Sequence, residues 1–200
     1  MPRPRRITPA GVAFHLCNRG NDRQLLFHED ADYQAFLDRI VEMRHRYPVE
    51  VPGLCAMPNH FHMTAIGLED QAIPAAMHWL ETRSSLHIRE VTQTLGYGHV
   101  FQRRYWSRPI AGDEELLRVV RYIEANPLRA GLVKRAEEWR WSSLWLRERG
   151  EQNVLDELRV RLPPRWVELV NTLPPPHETA DLAARSRRGR PARGLLRVTA

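Results

Sequence analysis

The sequence predicts the α+β class, with helices packed on one face of an antiparallel sheet. Three observations carry this expectation. "GVAFHLCNRG" (11–20) alternates, with Val12, Phe14 and Leu16 on one side and Ala13, His15 and Cys17 on the other, the period of a strand. Residues 49–67 hold two apolar runs broken only at Pro58-Asn59, the pattern of a hairpin. Three further segments repeat apolar residues at helical spacing.

In chain order, the first strand ends at the turn Asn18-Arg19-Gly20-Asn21. A helix over 30–46 follows, with Tyr33, Phe36, Leu37, Ile40 and Val41 on its apolar stripe, an acidic first turn and Pro48 beyond its end. After the hairpin (Val49–Met57 and Phe61–Gly67), a second helix spans 72–94, carrying Met77, Leu80, Ser84, Ile88 and Val91 on one side. "FQRRYWSRPI" (101–110) is a short extended piece, and "DEELLRVVRYIEANP" (113–127) a third helix that Asn126-Pro127 ends. Strand, helix, strand, strand, helix, extended piece is the order of a ferredoxin-like sandwich. The pattern weakens after about residue 146, so 1–145 is expected to be the functional domain. Residues 146–200 are expected to be an extension with a short helix near 165–171, a Pro-rich linker and a basic tail.

The net charge is +6, but 185–200 hold six arginines and no acid, so 1–184 balance to zero. A polyanion-binding surface on the body therefore has to come from local clusters. Only Cys17 and Cys55 are present, which excludes a disulfide framework and a four-cysteine zinc site and leaves buried thiols as the reading. No apolar run approaches the roughly 18 residues of a membrane span. The N-terminus lacks the apolar core of a signal peptide, so a soluble cytoplasmic protein is expected.

The chemistry concentrates in two places. His60 and His62 lie two apart on a strand, so both imidazoles project from one face and can converge on a cation, although inert edge histidines have the same pattern. Tyr122 and Asn126 lie four apart on a helix, again on one face; an amide oxygen can ligate a hard cation and a phenol one turn away can attack phosphorus. A tyrosine with its ordinary pKa of about 10 needs a neighbouring cation or base to react at neutral pH, and the sequence names neither. Arg103, Arg104, Tyr105 and Arg108 interleave arginine with aromatic residues, the composition of a segment that holds phosphates and stacks on a base. Arg19 and Arg23, in the loop after the first strand, are candidates of the same kind. In the tail "RRGRP" (187–191), Arg188 and Arg190 flank a glycine as in a minor-groove hook.

"CNRGNDRQLLF", "MPNHFHM", "YIEANPLRAGLV" and "WRWSSL", in this order between residues 8 and 145, resemble the REP-associated tyrosine transposases, relatives of the single-tyrosine transposases of small insertion sequences. The resemblance implies an enzyme that nicks and joins single-stranded DNA at palindromic repeat hairpins. It gives Tyr122 the role of nucleophile, through a 5′-phosphotyrosine link, and makes His60, His62 and Asn126 the ligands of Mg²⁺ or Mn²⁺. It also implies a nucleoid-associated location and a monomer or homodimer, with no membrane partner. The alternative is a non-catalytic hairpin-binding regulator descended from such an enzyme. A zinc-dependent phosphoesterase is a weaker third reading, since two imidazoles favour softer metals than magnesium.

Overall fold

The structure, a computed structural model, describes residues 6–94 and 98–173. Strands β1 (Ala13–Arg19), β2 (Val49–Met57), β3 (His60–Gly67) and β4 (Trp106–Pro109) form one antiparallel sheet in the spatial order β2-β3-β1-β4. Helix α1 (Asp30–Arg46) connects β1 to β2, and α2 (Ala72–Val91) connects β3 to β4. This is the ferredoxin-like arrangement expected from the element order, with β1 and β3 central.

Each boundary has a local cause. At the start of α1, Glu29 and Asp32 cap each other's backbone N–H groups. Asp32 also accepts from the His28 N–H at 2.8 Å and lies 3.1 Å from Nε2 of His87 on α2, which ties the two helices together. The helix stops at Tyr47, extended at φ −128° as the residue before Pro48 must be.

Residues facing each other across the ladders share a side of the sheet, which sorts the core into two layers. Phe14, Leu16, Leu54, Ala56, Phe61 and Met63 pack under α1 and α2, for example through the Phe36 and Phe61 rings at 5.2 Å. His15, Cys17, Cys55, Met57 and His62 lie on the other side. There α3 (Gly112–Glu124) crosses the hairpin with Leu116, Val119, Val120 and Ile123 buried. Helices therefore cover both faces, where the sequence pattern predicts them on one. The cause is visible in β2 and β3, whose residues are buried almost without alternation. The crossing is close at Gly53, where a Cβ would stand 3.0 Å from Thr64 Oγ1 and 3.4 Å from Val120 Cγ2.

Helix α3 ends at Ala125 and resumes as a single turn, α4 (Asn126–Arg129), with Pro127 early in that turn, where its missing N–H costs nothing. Helix α5 (Ser143–Arg149), which the sequence pattern does not predict, is capped by Ser142 accepting from the Trp145 N–H and closed by Gly150 at φ 71°. The expected short helix is α6 (Trp166–Asn171), which packs on α3. Both cysteines are buried and free. No helix among the described residues is long and apolar enough to cross a membrane.

Candidate active site

Register, not sequence proximity, builds this site. Across the β1–β3 ladder Cys17 faces His62 and Arg19 faces His60, and the β2–β3 ladder sets Cys55 opposite His62. Helix α3 lays Tyr122 over this face: its ring is 5.7 Å from the His62 ring and perpendicular to it. The two faces that sequence spacing picked out, histidine pair and tyrosine helix, thus meet within one chain.

Two residues not singled out in the sequence complete the cluster. His15 lies with its ring 5.2 Å from His62 and 6.1 Å from Tyr122, and its Nε2 is 3.0 Å from Nδ1 of His62. The Arg129 guanidinium lies 4.8 Å from the centre of the Tyr122 ring. That sets a positive charge against the face of the tyrosine ring. Arg129 follows Tyr122 by seven residues, two helical turns, which places the two on one face only because α4 continues past Asn126-Pro127, where the sequence pattern ends the helix. His15 had no spacing signal, because its partner comes from another strand.

The residues present fit a divalent cation. His60 Nδ1 is 2.8 Å from Asn59 Oδ1 and His62 Nδ1 is bonded to His15, so Nε2 is the nitrogen each imidazole has left for a ligand. Among the described residues no three His, Cys, Asp or Glu side chains group as a metal site, so a third protein ligand, if the cation is to have one, would come from another residue type. Asn126 begins α4 one turn after Tyr122, and its Nδ2 is buried without a hydrogen-bond partner. A half-turn of that amide exchanges nitrogen for a ligating oxygen.

Electrostatically the cluster holds its imidazoles neutral. Burial, then Arg19, lowers the His60 pKa to about 4. Burial, then Arg108, lowers that of His15 to about 3. Burial, with His60, His15, Arg19 and Arg129 around it, pushes His62 well below the ordinary range. The unfolded chain takes up these protons near pH 6.5 and the folded protein does not, so stability is complete above that pH and falls as pH drops toward 4. Each histidine costs roughly 1.4 kcal/mol per pH unit in that window. Burial raises Glu81 to about 7, which has the opposite sign, since its folded form gains a proton first, but it is one group against three. Denaturant midpoints of the metal-free protein should therefore fall steadily from pH 6.5 to 4.5; a flat profile would contradict the buried neutral cluster.

Of the proposed DNA contacts, Arg23, Arg103 and Arg104 are exposed, and Arg19 is half-buried with its Nε unpaired. Backbone and side-chain bonds gather these segments beside His60: Gly20 N–H donates to Asn59 O, Gln102 N–H to Arg19 O, and Asn18 Nδ2 to Arg103 O. Tyr105 and Arg108 differ from the expectation. Tyr105 is 4% exposed beneath the Arg6 guanidinium, and Arg108 is 7% exposed and ion-paired with Glu115. Tyr105, just before β4, lies under Arg6, and Arg108, on β4, is covered by Glu115 of α3, so neither offers a side chain to DNA. Arg188 and Arg190 lie outside the described residues.

The chain is 25% identical over 133 residues, 66% of its length and 76% of the relative's, to the REP-associated tyrosine transposase of Escherichia coli strain K12. It is also 25% identical over 105 residues, 48% of its length and 60% of the relative's, to a putative REP-associated tyrosine transposase of Haemophilus influenzae. In three dimensions it resembles a REP-associated tyrosine transposase solved bound to a REP hairpin, with TM-score 0.59 and 19% identity, covering 84% of this chain and 96% of that one; this likeness supports the fold. Residues 10–126, from β1 through Tyr122 to Asn126, match the family described as "Transposase IS200 like", and the chain belongs to that family.

Proposed function

We propose that this protein nicks and rejoins single-stranded DNA at palindromic repeat hairpins, with Tyr122 as nucleophile. The observation that carries the reading is the contact of the Tyr122 ring with His62, 5.7 Å apart, inside one chain. The family membership and the hairpin-bound relative direct it toward DNA hairpins.

In this reading the Tyr122 oxygen attacks the scissile phosphorus, forming the O–P bond of a 5′-phosphotyrosine while the bond to the 3′-oxygen breaks. The tyrosine proton passes to a base or to solvent, and the leaving oxygen ends as a 3′-hydroxyl. Because one phosphodiester replaces another, rejoining needs no nucleotide cofactor. His60, His62 and Asn126 would hold Mg²⁺ or Mn²⁺, which supplies charge neutralisation on the phosphate oxygens. Arg129 faces the tyrosine ring, and Arg19, half-buried opposite His60 in the β1–β3 ladder, would offer its guanidinium to a phosphate oxygen. Arg23, Arg103 and Arg104 form a basic rim around the His60 end of the sheet, suited to backbone phosphates of a strand entering there.

The domain assignment follows the same logic. Residues 1–145 carry every group named above, and we assign 146–200 as an extension whose described part braces α3. Incubation of the protein with a labelled repeat hairpin and Mn²⁺ is expected to produce a shortened strand and a covalent protein–DNA band stable in detergent. Tight hairpin binding without either product would replace this reading by the non-catalytic one.

A further inference from the structure

We propose that Asn59 is a positioning residue that holds His60 in its Nδ1–H form and so reserves Nε2 of His60 for the divalent cation. The inference deepens the metal-dependent reading above and rests on it for the identity of the ligand.

The argument is one of proton accounting. A neutral imidazole carries one N–H, and which nitrogen has it is set by the hydrogen bond the ring makes. His60 Nδ1 lies 2.8 Å from Oδ1 of Asn59. The Asn59 amide is itself oriented, because its Nδ2 donates to the carbonyl oxygen of Arg23 at 3.2 Å. Turning the amide over would set its oxygen against that carbonyl oxygen, acceptor against acceptor. Oδ1 therefore faces His60 and can only accept, so Nδ1 of His60 must donate. The proton is then committed, and the lone pair is left on Nε2.

The backbone holds the same arrangement. Gly20 N–H donates to Asn59 O, and the N–H groups of Leu26 and Phe27 both donate to Pro58 O, so the hairpin turn is fastened to the loop that follows β1. In that loop Asp22 and Arg23 have positive φ, 48° and 62°. Two successive non-glycine residues in the left-handed region are costly, and here they point the Arg23 carbonyl at the Asn59 amide. Asn59 thus does more than form a turn. A turn needs a residue tolerant of its backbone angles; this position needs an acceptor aimed at an imidazole and a donor aimed at a carbonyl.

The test compares Asn59→Ala, Asn59→Asp and the unaltered protein by two readouts. Long-range ¹H–¹⁵N correlation of the histidine rings in the metal-free protein at pH 7 reports which nitrogen of His60 is protonated. Titration with Mn²⁺, followed by the loss of free-ion electron paramagnetic resonance, reports affinity without DNA. The unaltered protein should show His60 as Nδ1–H. Asn59→Ala should show a mixture and bind Mn²⁺ about 10-fold or more weakly, the usual effect of losing an outer partner of a ligand. Asn59→Asp keeps the acceptor for His60 Nδ1 and gives up the donor to the Arg23 carbonyl, so it should restore the Nδ1–H form without the same hold on the loop. Nε2–H in the unaltered protein, or an Asn59→Ala protein unchanged in both readouts, overturns the proposal; so does an Asn59→Asp in which Nε2–H prevails. If all three behave as expected and no DNA is cut, this inference stands and the nicking reading falls.

Discussion

Tyr122→Phe is expected to abolish the covalent DNA adduct and strand cleavage while leaving hairpin affinity within about twofold. The ring contacts with His62 at 5.7 Å, His15 at 6.1 Å and Arg129 at 4.8 Å need only the aromatic face, so phenylalanine keeps these contacts and removes the phenolic oxygen. Deleting a nucleophile that nothing replaces lowers turnover on the order of 10³-fold or more. Neither Tyr33 nor Tyr105 is placed to substitute. Tyr33 is stacked in the opposite core layer between Phe27 at 4.6 Å and Trp141 at 4.9 Å. Tyr105 is buried beneath Arg6 on the α2 side of the sheet. Detergent gels of a 5′- or 3′-labelled hairpin with Mn²⁺, run beside a mobility-shift titration, separate chemistry from binding. An adduct of undiminished yield from the variant would remove Tyr122 from the nucleophile's role.

What the sequence showed of this site, and what it hid, follows from where each signal is stored. Alternation in β1, the broken apolar run of the hairpin and the stripe of α3 are short-range patterns, so spacing alone assigns His60, His62, Tyr122 and Asn126 to their faces. Spacing assigns His15 to a face too, but not to a place beside His62. That contact depends on the β1–β3 register, in which Cys17 lies opposite His62, and register is a long-range property. Asn59 reads as a turn residue because Pro-Asn is turn chemistry; its amide acquires a second use only when the Arg23 carbonyl comes within reach. Tyr105 and Arg108 mislead for a related reason. Arginines and aromatics in alternation suit a DNA-binding strand, and they equally suit a short edge strand and the residue before it, where Arg108 meets Glu115 and Tyr105 meets Arg6. Helix α5 is seven residues long and rests on its Ser142 cap and Gly150 stop, too brief for periodicity to register.

Glu124→Ala is expected to destabilise the protein by about 3–5 kcal/mol, the cost of leaving a buried charge without its partner. Glu124 has no exposed surface and sits two residues after the tyrosine, on the side of α3 that faces the C-terminal segments. Its carboxylate pairs with Arg147 of α5, accepts from the Ser143 hydroxyl, and accepts from the Trp166 indole N–H of α6 at 2.8 Å. One side chain thus fastens α5 and α6 to the helix that delivers Tyr122. Burial already lowers the Arg147 pKa to about 10, so removing the carboxylate leaves an ill-solvated cation that must open the contact to water. For a chain of this size the loss should appear as a fall in Tm of roughly 10 °C. Glu124→Gln, which keeps an acceptor for Trp166 or Ser143, should cost less, and adding Arg147→Met to Glu124→Ala should recover part of the loss, because no unpaired charge then remains. Denaturant unfolding of the three variants measures these differences. The adduct assay adds a second reading, since a loosened α3 should form the phosphotyrosine link more slowly even at temperatures where the protein is folded. Equal stability of Glu124→Ala and the unaltered protein would show that the extension rests on α3 without bracing it.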